Sequence, residues 1–468
     1  MDFTVPKELI PALEAAAIVR WFDQPILRAV TGLADVRDVY NELRRFPFVR
    51  TRVEGLALHD AVREIMGENL REQDSDRHYE LHERAAAYFE KRLEKTTGDE
   101  SDRLSLERLY HRVRTDEEAG TELFQEMAEE LTRYRLVNRL RALLNDVNTY
   151  PLERENSMLW KEYYYARVAQ LEAHSSDAEG IFQAISENEH AESKLRAYAL
   201  CDWGQLLSYY ERLGQAGGEE KATSILEKSL SLVPLDSHLV RSLFHLARVQ
   251  GHQLRRKETA YFIEKARDYF EQTRDASGLP DVYGVSAVYV EMKRRFAKMG
   301  LWKDFFTTQA QLVALASTSP ESEALRNRSL SDSNWVWALT GRLCEGEGNA
   351  REGVVTARSL GDQISLANVL RDLGLILGYQ EHHTEANKVF LESQALTERI
   401  GATFLVGSIL GFWGAILTKQ GKILEAMERL TQSIQLKEQM KDPGIVEPWA
   451  WLGKLYEIRK DLGATLKL

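Results

Sequence analysis

The stretch Trp449-Ala450-Trp451-Leu452-Gly453-Lys454-Leu455-Tyr456 decides the fold. Trp449, Leu452, Gly453 and Tyr456 follow an i, i+3, i+4, i+7 spacing, which puts them on one face of a helix around a single small residue. Gly414 and Gly374 occupy the equivalent small position 39 and 79 residues earlier. Twelve residues after these two glycines stand Ala426 and Ala386. Each alanine is followed at +4 by a large apolar residue (Leu430, Phe390) and at +7 by a serine (Ser433, Ser393). A small residue on a first helix lets a second approach closely, and a small residue on the second helix reciprocates. The pattern therefore predicts antiparallel helix pairs repeating every ~40 residues.

The frame extends upstream to about Met158. Ala166 pairs with Ala178, Phe182 and Ile185; Gly204 pairs with Ala222, Leu226 and Ser229, with Pro234 stopping the second helix. Gly214, Gly217 and Gly218 mark a longer loop inside that unit. Weaker units centre on Ala247 with Ala266, on Lys293 with Gly300 in its turn, and on Ala338 with Ala350. This resembles the degenerate long-period tetratricopeptide arrays. The resemblance implies an all-α fold, a right-handed superhelix (α-solenoid) over residues 158–468, with the first helix of each pair on an inner wall. The last repeat reads as truncated, because Gly463–Leu468 is too short for a second helix; solenoids normally end in a polar cap. A chain that naturally continues, or a fragment, is expected.

At 468 residues the chain exceeds the roughly 250 to 300 at which one core stops growing. With 61 Lys+Arg against 72 Asp+Glu its net charge is −11, which argues against a protein that coats nucleic acid. Cys201 and Cys344 lack disulfide or zinc spacing and are expected to be buried, reduced thiols. The opening Met1–Pro6 has no signal-peptide character, and no run of about eighteen apolar residues occurs, so a cytoplasmic, soluble protein without membrane partners is expected.

Residues 1–95 do not fit the repeat frame. Leu13–Val30 reads as an amphipathic helix interrupted near Pro25, and Val36–Phe46 as a second helix. Phe48–Leu58 alternates around Glu54-Gly55 as a short β-hairpin, and a helix follows from His59 to about Leu70. Residues 96–157 read as a helical linker. The head has the element order of a winged helix, and Leu56–Met66 resembles the end of the winged-helix domain in signal-transduction ATPases with numerous domains, the STAND group. In that group an ATPase precedes the winged helix and a superhelical sensor follows it. There a hydrophobic-His-Asp triplet contacts bound ADP; Leu58-His59-Asp60 matches it, and the resemblance assigns nucleotide contact to His59 in a full-length protein. The chain departs from the group in having no Gly-x-x-x-x-Gly-Lys-Ser/Thr loop. ADP or ATP is thus expected only with a further domain, and this chain is expected to hold no cofactor and catalyse nothing.

Other constellations point elsewhere. His78 and His82 are four apart on a helix but lack a third metal ligand, and Glu381-His382-His383 reads as a solvated turn. Arg44, Arg45, Arg50 and Arg52 would suit a DNA-binding head, although Asp35, Asp38, Glu42 and Glu54 share the region. The first-helix face of the repeats is the better recognition surface. It carries Trp160, Tyr163, Tyr164, Arg167, Tyr198, Asp202, Tyr209, Trp335, Arg371, Asp372, Tyr379, Phe412 and Trp451, rings interleaved with charges that suit a protein, peptide or small effector. Three functions follow: the sensor of a STAND-type ATPase acting on its ATPase domain in cis, a stand-alone scaffold for protein–protein interaction, or a DNA-binding regulator.

Overall fold

The computed structural model describes residues 6–96, 98–133, 135–172, 175–208, 217–252, 256–272, 282–318, 322–331, 333–440 and 442–458. Tyr209, Gly214 and Gly463–Leu468 lie outside them. The described residues form two compact units, one of residues 1–130 with 142–161, the other of residues 131–141 with 162–468.

In the first unit α1 (Ile10–Ile18), α2 (Gln24–Thr31) and α3 (Arg37–Leu43) precede a hairpin of β1 (Val49–Thr51) and β2 (Leu56–Leu58). Next come α4 (Asp60–Gln73), α5 (Ser75–Leu93), α6 (Asp99–Thr115), α7 (Glu117–Arg133) and α8 (Val137–Val147). The interruption expected near Pro25 divides this stretch into α1 and α2, and the break falls before Pro25. Proline belongs in a first turn, where its missing N–H is not needed. Asp23 caps α2 by accepting the Ile26 N–H at 2.8 Å. The residues between the helices are held by the hairpin instead: Phe22 and Leu56 exchange backbone hydrogen bonds of 2.7 and 2.8 Å. Gly55 has φ +152°, and a Cβ there would lie 2.4 Å from the Phe22 carbonyl oxygen, so only glycine permits this approach. Register pairs Val49 with Leu58 and Thr51 with Leu56. Phe22, Ile26, Leu27, Leu58, Leu81, Phe89 and Leu104 form the core.

The repeats begin with α9 (Glu155–Leu171), α10 (Ser175–Glu187), α11 (Ser193–Leu207) and α12 (Gly218–Leu232). They continue with α13 (Val240–His252), α14 (Arg256–Gln272), α15 (Val282–Met299), α16 (Trp302–Thr318), α17 (Ser322–Leu330) and α18 (Trp335–Leu339). The last are α19 (Leu343–Leu360), α20 (Gln363–Tyr379), α21 (His383–Arg399), α22 (Thr403–Lys419), α23 (Ile423–Gln439) and α24 (Val446–Ile458). Apart from the hairpin the elements of the described residues are helical, and from α9 on they form tetratricopeptide-like pairs. Gly374, Gly414 and Gly453 lie within α20, α22 and α24, as the spacing requires.

A Cβ at Gly374 would stand 2.9 Å from the Phe390 ring, and one at Gly414 would stand 2.6 Å from Leu430 Cγ. Phe390 in turn stacks on Trp413 of the next repeat, centroids 5.8 Å apart. The serines of the pattern also do the same job one repeat apart. Ser393 Oγ donates to the Ala367 carbonyl at 2.8 Å, and Ser433 Oγ donates to the Gly407 carbonyl at 2.6 Å. First helices of successive pairs pack side by side (α20 with α22, α22 with α24), whereas the second helices α21 and α23 barely touch. The first-helix side is therefore the inner side of these repeats.

Lys293, on the first helix of its unit with Gly300 in the turn, is fully buried where other units have a small residue, its Nζ donating to Gln309 Oε1 (2.9 Å) and the Ser329 carbonyl (2.8 Å). Two expectations are corrected. The first helix around Ala338 is broken into α17 and α18. Of the two cysteines, Cys201 is buried but Cys344 is exposed.

Gly374→Val, which adds bulk where the Phe390 ring already lies, should destabilise the repeats by about 1–3 kcal/mol. Urea denaturation read by Trp fluorescence would show it; an unchanged midpoint would remove the close-approach explanation of the period.

Candidate ligand-binding surface of the repeats

Aligning the last three first helices on Gly374, Gly414 and Gly453 gives the inner surface a register. Asp372, Phe412 and Trp451 share one position, Asn368, Ser408 and Glu447 another, and Tyr379, Lys419 and Ile458 a third. Of the residues expected here, Tyr379, Phe412 and Trp451 are half-buried, so their rings are partly open to solvent. Each carries a cation: Arg371 lies 5.5 Å from the Phe412 centroid, Lys419 Nζ 4.4 Å from Tyr379 and Lys454 Nζ 5.5 Å from Trp451. Asp372 is fully buried and takes the Arg371 guanidinium at 2.8 and 2.7 Å.

Sequence reasoning missed Glu447, the first-turn carboxylate of α24. The register could have found it, as the charged counterpart of Asn368 and Ser408. Glu447 Oε2 occupies the space above Gly411, where a Cβ would come within 3.1 Å of it. The side chain is half-buried and makes no hydrogen bond or ion pair among the described residues. Both neighbouring cations are committed, Arg371 to Asp372 and Lys437 to Asp442 (3.0 Å) and Ser408 (3.3 Å). Burial pushes the Glu447 carboxyl up to about 7, and the pull of Lys437 and Arg371 does not restore it. Burial first, and then the Glu447 charge, raise Tyr379. The arrangement is an unsatisfied acceptor that Tyr379 feels electrostatically, one helical turn before Trp451 and beside the Gly411 backbone that precedes Phe412.

A second constellation lies on α9, α11 and α13. Tyr163, Arg167, Tyr198 and Asp202 were expected on one surface, and the structure brings them together, but as a buried network. Asp202 is fully buried; it accepts from Tyr163 Oη (2.5 Å), from Arg241 (2.5 Å) and from Arg167, and lies 3.2 Å from His238 Nε2. Tyr198 stacks on His238 at 3.9 Å and donates to Asp236 at 2.6 Å. Burial opposes ionisation of Asp202, yet Arg167, Arg241 and His238 outweigh it and hold the carboxyl well below the ordinary range. Arg241 comes from a third helix and His238 from the turn before it, which no local spacing announces. Trp160, Tyr163 and Tyr164 are fully buried, so they contribute packing rather than an open wall, and Trp335 packs beside Phe305 and Val336.

In the N-terminal unit His59 is exposed at the start of α4; its backbone N–H donates to the Phe48 carbonyl at 2.8 Å and its side chain makes no capping bond. Arg44, Arg45, Arg50 and Arg52 are exposed, with Arg45 paired to Glu42 at 2.6 Å. His82 Nδ1 faces His111 Nδ1 at 2.8 Å, and no group of three potential metal ligands occurs among the described residues. None of the helices searched among those residues is long and apolar enough to cross a membrane.

No family model matches the sequence, and no curated protein does. Solved structures share its helical-repeat character. A STAND protein with a tetratricopeptide repeat sensor from Pyrococcus horikoshii is 12% identical over 98% of this chain and 62% of its own, with a TM-score of 0.49. This chain thus spans less than two thirds of that protein's length. The Cut9–Hcn1 hetero-tetramer of the APC/C gives 13% identity, 87% and 76% coverage and a TM-score of 0.49. A Rap protein complexed with competence and sporulation factor gives 12%, 74%, 99% and 0.42. At such values the likenesses carry no argument about function.

Asp202→Asn leaves two guanidinium groups without their shared charge and should destabilise the chain by about 3 kcal/mol or more. Because the carboxyl is held low, its contribution is present above about pH 4 and lost as pH falls through the depressed value. A denaturation midpoint equal to that of the unmutated chain at pH 7 would contradict the network's importance.

Proposed function

We propose that this chain is an interaction module whose last repeats bind an extended protein segment along the inner faces of α20, α22 and α24. The observation that carries the reading is Glu447, a half-buried carboxylate with no partner, flanked by the part-open rings of Tyr379, Phe412 and Trp451. A lysine or arginine of the bound segment supplies the missing donor, and neighbouring apolar side chains cover the rings. The reading assigns no catalysis to this chain.

Glu447 gives the reading a pH signature. A cation binds the ionised form, so affinity for a cationic segment rises as pH passes upward through about 7. Peptides selected against the chain at pH 8 should bind at least about tenfold more weakly to Glu447→Gln, and that variant should lose the rise between pH 6 and 8. Equal affinity in both proteins, or selected peptides without a basic residue, would sink the assignment.

The finer reading is that the module senses an effector for a STAND-type ATPase domain. Two observations support it beyond the shared scaffold role. Leu58-His59-Asp60 follows the hairpin at the start of α4, and the segment Leu131–Arg141, between head and repeats in sequence, is tied to the repeats. Arg135 pairs with Asp362 at 2.6 and 3.0 Å, and Asp362 also accepts from Asn327 (3.2 Å) and caps α20 through Ser365 (3.1 Å). A ligand on α20 and α22 that favours one state of this tie biases the linker. Arg135→Gln should speed amide exchange across residues 136–141 severalfold while leaving α22 and α23 unchanged; unaltered exchange would leave only the scaffold role.

A further inference from the structure

Arg114, half-buried near the end of α6, has no ion pair among the described residues. Helices α5 and α6 run antiparallel and meet at the buried His82–His111 contact of 2.8 Å. One turn beyond it, at the same end of both helices, stand His78 and Arg114. His78 is half-buried, its ring 4.6 Å from that of His82. The Arg114 guanidinium lies 3.7 Å above the Tyr110 ring and 5.5 Å from that of Tyr150. Its single hydrogen bond among the described residues goes from Nη1 to the Tyr110 carbonyl at 3.0 Å.

Acids that could have served Arg114 are spent elsewhere. Glu107 and Asp146 hold Arg20 at 3.1 and 2.5 Å, and Asp146 also accepts from Tyr150 at 2.5 Å. Among the described residues Arg63 reaches only the exposed Asp60, at 3.4 Å, and Arg71 and His78 have no ion pair. Glu64, Glu68 and Glu72 are exposed on α4 and pair with none of them. Arg63, His78 and Arg114 are half-buried, unlike the exposed arginines Arg28, Arg44 and Arg50 of the same unit. The basic groups repel one another. Burial and then Arg71 and Arg114 depress His78, while burial, Arg20 and Arg63 depress Arg114 against the opposing pull of Tyr110 and Tyr150.

A guanidinium with unused donors beside an imidazole and further arginines is the donor set that takes phosphate oxygens, through charge-assisted and bidentate bonds. We propose that Arg114, with Arg63, Arg71 and His78, forms a binding site for a phosphate-type oxyanion. Tyr110 and Tyr150 hold the guanidinium in place from one side, leaving its remaining donors for the ligand. The site is separate from the repeat surface and stands whether or not that surface binds peptides.

Titration calorimetry with inorganic phosphate and, in a second arm, O-phosphoserine tests it, each against sodium chloride at matched ionic strength. Saturable binding of either is expected, the first arm marking a free ion and the second a phosphorylated side chain. Arg114→Gln should weaken binding by about tenfold or more with unchanged circular dichroism, and Arg63→Gln by less. The ligand should also move the His78 ring proton resonance. Heats indistinguishable from the chloride control in both arms would overturn the site. So would saturable binding by a folded Arg114→Gln chain at undiminished affinity, whatever becomes of the Arg63 variant.

Discussion

The repeat unit depends on the close approach of helix pairs at glycine. Where Gly374 faces Phe390 and Gly414 faces Leu430, the large side chain fills the space a Cβ would need, so each pair is held by a buried apolar residue against bare backbone. Nothing on the opposing helix could be larger without displacing a fully buried neighbour. The same contact sets the period, because the side chain beneath one glycine is also the floor of the next repeat, as Phe390 is for Trp413.

That constraint organises the surface. With the glycine turned toward the partner helix, residues two before and five after it are carried toward the inner side, where Phe412, Trp451 and Tyr379 are part-open and Asp372 is fully buried. Because the first helices pack side by side while α21 and α23 barely touch, side chains from successive repeats converge there. Glu447 meets Gly411 for this reason: the neighbouring repeat presents no side chain, and a carboxylate moves into the space. The unit thus acquires a charged group that it does not neutralise.

Much of this was legible in the sequence where one residue type satisfies one local requirement. The glycine, alanine and serine positions of the last repeats announced the pairs, and Glu54-Gly55 announced the hairpin turn. Reading failed where the requirement was set at a distance. Lys293 centres its unit as the spacing indicates, but its partners Gln309 and Ser329 stand in the next two helices, beyond any local pattern. Trp160 and Tyr164 have the composition of a binding surface, but depth in a stack of helices is not encoded in one helix. Tyr163 and Arg167 were placed on the right helix for the wrong reason, since His238 and Arg241 turn them into a buried network. The Arg135–Asp362 pair spans 227 residues and had no local sign at all.

The central claim is that the inner faces of the last repeats hold a protein segment through an acceptor the fold leaves open. A crystal structure of the chain with a selected peptide bound tests this most directly. The account predicts the peptide backbone lying across α20, α22 and α24, with a basic side chain within about 3 Å of the Glu447 carboxylate. A peptide seated on α21 and α23, with Glu447 still bare, would contradict it.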